Sequence, residues 1–173
     1  MSDISSFEQA IQSLKNGVHP TLGVTIGSHR VIPGEQIKKK ETHKTPVLTA
    51  PADLPQGSYT IICVDLDAPF VSWNALSPAL HWAQTGYQIQ SPSRELKSND
   101  PIIAEYAGAG PPPGAAPHRY VFLLYSHKPD SNISPNVTEK PIALFSRMRF
   151  DVEGLKEKLG LDKIEAVNHF TSN

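Results

Sequence analysis

The 173-residue chain contains one cysteine, Cys63, so an internal disulfide framework is excluded. No apolar run approaches the roughly 20 residues that span a bilayer as a helix. The opening residues lack the charged-then-apolar pattern of a secretory signal, so a cytoplasmic location is expected. Positive charge is not in surplus: 16 Lys and Arg face 17 Asp and Glu, for a formal net charge of −1. Neither nucleic acid nor an anionic membrane surface is therefore expected as the main partner. No G-x-S-x-G elbow marks a serine nucleophile, and no closely spaced ligand pair marks a metal, so none is expected. Gly108, Gly110 and Gly114 lack the spacing of a dinucleotide fingerprint, and no Lys-Ser/Thr follows them. Pro111, Pro112 and Pro113 have no N–H groups with which to cradle a phosphate. No cofactor is expected.

What the chain does have is proline, 16 residues of it, spread between short apolar runs as in a strand-and-turn protein. The length suits a single domain over residues 1–173. Ile4, Phe7, Ile11 and Leu14 recur at helical spacing, so residues 3–16 should form a helix packed on the core. Residues 22–32 read as a strand, and 45–57 and 91–101 as irregular connections. The run 59–64 should be a buried strand ending in the carboxylates Asp65 and Asp67. Residues 80–89, 102–106, 120–125 and 164–170 read as further strands, the run from Tyr120 to Tyr125 covered on both faces. Asp151 should cap a second helix that stops at Gly160. Lys38, Lys39, Lys40 and Lys44 read as a solvated loop or edge. The sequons at Asn132 and Asn136 read as chance matches.

Three stretches carry a family resemblance. GPPPGAAPHRYVF, from Gly110 to Phe122, resembles the signature of the phosphatidylethanolamine-binding protein family. Asp65-Leu66-Asp67-Ala68-Pro69 is similar to its DPDAP motif, and Leu80-His81-Trp82 to its histidine-bearing strand. The chain resembles most the fungal carboxypeptidase-inhibitor-like members, notably over Ala166 to Phe170. The resemblance implies a mainly β fold, two strand layers with a few peripheral helices, and an anion pocket for phosphorylated headgroups. It also implies a strand in or near residues 45–57. Leu66 departs from the pattern, standing where the family has proline, so a looser or differently shaped turn is expected there.

The resemblance assembles Asp65, His81, His118 and Tyr120 at one cavity, with Gly110 and Pro112 in the loop beside them. A carboxylate near two imidazoles should raise both pKa values. Two imidazolium rings and the Tyr120 hydroxyl would then form a donor-rich pocket for a phosphate, sulfate or carboxylate. Asp67 and Arg119 read as structural, a bidentate pair that fixes the loop. The expected function is binding of an anionic small molecule or phospholipid headgroup, with a serine carboxypeptidase or a signalling protein as a further partner reached through the 4–14 helix. The alternative is acid–base chemistry by His81, His118 and Asp65 on carboxylate or anhydride intermediates of fungal polyketide metabolism.

Overall fold

The computed structural model describes residues 4–129, 131 and 138–173. Among these, the strands are β1 (Gly23–Ile26), β2 (His29–Arg30), β3 (Val47–Thr49), β4 (Tyr59–Asp65), β5 (Ala79–Ile89), β6 (Glu95–Lys97), β7 (Ile102–Ala104), β8 (His118–His127) and β9 (Leu161–Ser172). The helices are α1 (Ile4–Lys15) and α2 (Val152–Lys158), with 3₁₀ turns at Lys39–Glu41 and Leu144–Arg147. The two sequons at Asn132 and Asn136 lie outside the described residues.

β4 and β8 sit side by side at the centre, antiparallel, with Ile62 opposite Leu123 and Asp65 opposite Tyr120. Every residue of β4 is buried, as are Tyr120 to Tyr125 of β8. Alternation of side chains sends the two faces of each strand into different cores. Ile61, Cys63, Tyr120, Phe122 and Leu124 point into one, shared with Val24, Ile26, Leu48 and Leu96 of the outer strands. Ile62, Val64, Val121, Leu123 and Tyr125 point into the other. That second core is closed by Phe7, Ala10, Ile11 and Leu14 of α1 and by Val152 and Leu155 of α2. The central sheet is thus covered by a second sheet on one face and by helices on the other, as expected of its continuous apolar runs.

One strand joins the two sheets. The first part of β5 pairs with β4 and β7, while Gln88 and Ile89 pair with β6. β6 leads on through β3 and β1 to β2. The change of partner follows Gly86, which has φ +73° and lies against the Asp100 carboxylate, where a Cβ would collide. Asp100 is itself held by Thr85 Oγ1 at 2.8 Å.

The helix expected over 3–16 forms as Ile4–Lys15, and Asp151 caps α2 by accepting from Gly154 N at 3.0 Å. Three expectations need correction. The stretch 22–32 is a hairpin rather than one strand, turning at Gly27 and Ser28 so that Ile26 faces His29. Residues 91–101 contain β6, in which only Leu96 is buried, so the stretch has no apolar period to read. Residues 45–57, read as an irregular connection, contain β3, the strand that the resemblance implied there, also with one buried residue, Leu48.

Candidate functional site

Asp65 closes β4 and His118 opens β8, which brings them to the same end of the central sheet. His118 Nδ1 donates to Asp65 Oδ2 at 2.9 Å, with both side chains almost fully buried. Asp65 Oδ1 accepts from the Asp67 N–H at 2.8 Å. Between them, Leu66 turns its side chain into the helix-covered core, and its N–H donates to the Arg119 carbonyl at 3.0 Å. A proline there could not make that bond. The turn is pinned by this bond rather than by a proline ring, and the two carboxylates diverge.

Asp67 faces Arg119. Its carboxylate accepts from Arg119 Nε and Nη2, both at 2.8 Å, and from the Arg119 backbone N–H at 2.8 Å. The remaining guanidinium edge reaches Glu8 of α1 at 2.9 Å. This bidentate pair locks strand, loop and helix together and lies outside the cavity that Asp65 and His118 line.

That cavity measures about 370 Å³. Asp65, His81, Gly110, Pro112 and His118 all line it, together with Leu76, Leu80, Leu144, Arg147 and Met148. The loop 107–112 is held over it from below. Ala107 N donates to the His81 carbonyl at 2.8 Å, Ala109 N to Thr42 Oγ1 at 2.8 Å, and Lys39 Nζ to the Pro111 carbonyl at 3.3 Å. Gly108 packs so closely on Thr42 and His43 that a Cβ would clash with their backbone. Of the four lysines singled out, all exposed, Lys39 alone makes a hydrogen bond to this loop among the described residues.

Tyr120 is placed differently from the expectation. It does not line the cavity but lies in the inter-sheet core, 1% exposed. Its ring stacks on Phe170 at 5.2 Å and takes the edge of His81 at 5.1 Å, and its hydroxyl accepts from Gly110 N at 3.3 Å. It therefore supports the ring and the loop that form the site. The reason is depth along the strand: Tyr120 shares a face of β8 with the cavity-lining His118 but lies two residues further in, beside Phe122.

The two imidazoles also differ from the expectation that both would be charged. For His118, burial pulls the pKa down, but the hydrogen bond and charge of Asp65 outweigh it, helped by Asp67 and the Pro69 carbonyl, and the value is raised. For His81, burial dominates and lowers the pKa, despite the Ala107 carbonyl and Asp65, with Arg147 and His118 adding to the lowering. His81 Nδ1 donates to the Ala107 carbonyl at 2.8 Å, which leaves Nε2 of the neutral ring as an acceptor. The surroundings thus favour the cation at His118 and the neutral ring at His81, and groups whose pKa values are pushed apart are suited to giving and taking a proton.

Arg147 escaped the sequence reading. It sits in the 3₁₀ turn Leu144–Arg147, 4% exposed, donating to the carbonyls of Ile142 at 2.9 Å and Glu105 at 2.6 Å. Nothing in the pattern around it distinguishes this arginine from a loop residue; only the fold brings it to the cavity. Among the described residues, no three His, Cys, Asp or Glu side chains gather as a metal-binding group.

Two sheets joined through one strand, with an Asp-His pair at the mouth of the central strands, define a class that the sequence comparisons name. The sequence model for phosphatidylethanolamine-binding protein matches residues 27–163, and the chain belongs to that family. Over 99 residues it is 30% identical to the carboxypeptidase Y inhibitor of Saccharomyces cerevisiae, a stretch covering 48% of this chain and 45% of that protein. The match thus spans less than half the length of this curated relative. The crystal structure of carboxypeptidase Y inhibitor complexed with its cognate proteinase superposes with a TM-score of 0.74 at 21% identity, covering 96% of this chain and 95% of that one. The phosphatidylethanolamine-binding protein from Plasmodium vivax gives 0.71 at 19% identity, covering 95% and 97%. These structural likenesses establish the fold.

Proposed function

We propose that the chain binds an anionic small molecule or a phospholipid headgroup in the cavity lined by Asp65, His81 and His118. The observation that carries this reading is the buried Asp65–His118 pair. The second ring nitrogen of His118, Nε2, is buried and has no partner that meets hydrogen-bond geometry. The Pro69 carbonyl acts on this ring without meeting that geometry, and an anion in the cavity would give the N–H a well-aligned acceptor. Gly110 and Pro112 shape the wall beside it. Calorimetric titration with phosphoethanolamine tests the reading: His118→Ala should weaken binding by about 1.5–3 kcal/mol, the value of one charge-assisted hydrogen bond. Equal affinity in the variant would count against the site.

A regulatory contact with a serine carboxypeptidase is a second reading, favoured by the similarity to the yeast inhibitor. The apolar face of α1 is taken up by the core, so a partner would meet its polar face. There, Glu8, Gln9, Gln12 and Lys15 border a groove of about 1060 Å³ that runs to Gly34 and His169. Removing residues 1–16 would strip the core of Phe7 and Ile11, so surface variants are the better probe. Gln9→Ala with Gln12→Ala should abolish inhibition of a serine carboxypeptidase and leave ligand binding intact. Undiminished inhibition would remove α1 from the reading.

A further inference from the structure

The 3₁₀ turn Leu144–Arg147 gives the cavity two opposite kinds of surface. Side chains three apart in such a turn eclipse one another, and Leu144 and Arg147 both reach the cavity, followed by Met148. Arg147 donates to neutral carbonyls, and among the described residues no carboxylate lies within ion-pair distance of it. The acid whose charge acts on it, Glu105, is exposed and does not line the cavity. The other charge-bearing groups of the cavity are paired with each other: Asp65 holds His118 at 2.9 Å, and His81 Nδ1 is spent on the Ala107 carbonyl. Arg147 is therefore the charged side chain of the cavity wall that lacks an opposite partner among the described residues. A buried charge without a counter-ion is costly, and one incoming negative charge offsets it. A dianion would bring a surplus charge up to Asp65.

The remaining wall is apolar. Leu76, Leu144 and Met148 line the mouth while 36%, 60% and 46% exposed, and Phe145, next in the turn, is 98% exposed. Large apolar side chains gathered around a polar pole mark a site for a guest with an apolar part. At about 370 Å³ the cavity is near the small end of ligand sites, so that part must be compact.

We infer that the preferred guest is an amphiphilic monoanion, a singly charged head joined directly to a short acyl or aryl body. The head lies toward His118 and Arg147 and the body lies against Leu76, Leu144 and Met148, which determine specificity. This rests on the anion-binding reading above and narrows it to one ligand class. The test is an NMR titration of the intact chain with acetate, butyrate, hexanoate and octanoate, alongside inorganic phosphate and phosphoethanolamine. Affinity should rise about 3–4-fold per methylene, the equivalent of ~0.8 kcal/mol each, and level off once the body fills the cavity. Phosphate should bind more weakly than hexanoate. The double variant Leu144→Ser, Met148→Ser, both at exposed positions, should flatten the series. Arg147→Lys should keep the increment, and Arg147→Gln, if folded by circular dichroism, should lower every member equally. Binding to vesicles doped with a fatty acid, lost in the double variant, would assign the same chemistry to a bilayer-borne guest; binding of free acids alone would assign a soluble one. A flat series with tight phosphate binding would overturn this inference and leave the anion site standing. No binding by any of the anions would remove both.

Discussion

Asp65 and Asp67 are two apart, yet the fold gives them unrelated work. Leu66 spends its N–H on the neighbouring strand and its side chain on the core, and so turns one acid to His118 and the other to Arg119. The raised His118 pKa means that its cation persists above the ordinary imidazole value of about 6.5. Anion binding should therefore be strongest at and below that value and fall as pH rises through the raised pKa, which titration calorimetry across pH will read. By NMR, His118 should titrate above His81, and Asp65→Asn should bring His118 down toward it. The sign is the same for folding: Asp65 stabilises the His118 cation, a contribution present below pH 6.5 and lost as pH climbs past the shifted value. Asp67→Asn breaks the bidentate pair. Because Arg119 is one-third exposed, the loss should be about 2 kcal/mol in urea denaturation, below the 3–5 of a fully buried pair.

α1 behaves as a lid on the central sheet. Phe7 is 2% exposed and packs with Ala10, Ile11 and Leu14 over β4 and β8, so Phe7→Ala should cost about 3–5 kcal/mol of stability. β5 depends on Gly86 to pass from one sheet to the other. Gly86→Ala would meet both a left-handed backbone and the Asp100 carboxylate, and should destabilise by roughly 1–3 kcal/mol, visible as a lowered urea midpoint. α1, β4, β8 and α2 were legible because each carries an uninterrupted period or a capping residue. β2, β3 and β6 were not, since strands of two or three residues with at most one buried side chain leave no period to detect.

The assembled domain carries four perturbed imidazoles that pull in opposite directions with pH. Burial lowers the pKa of His81, His127 and His169, with Lys15 and Arg119 adding to the effect at His169. Each of these rings favours the fold when neutral, so its contribution is complete above pH 6.5 and disappears as pH falls through its depressed value. His118 alone acts the other way. Acidification from pH 7 to 5 should therefore lower the urea midpoint, and replacing His127 by Gln should reduce that slope.

Composition and period were enough to establish a β-rich chain with two sheet-covering helices, because burial imposes a repeating pattern on every long element. The motif residues could be named in advance, since their types carry the chemistry. Which way each one faces was decided only by the fold. Depth along β8 placed Tyr120 in the core instead of the cavity, and burial separated two histidines that the same acid was expected to charge alike. Arg147 was delivered to the cavity by a 3₁₀ turn far along the chain. Charge and direction at a site depend on neighbours distant in sequence, and local pattern holds no record of them.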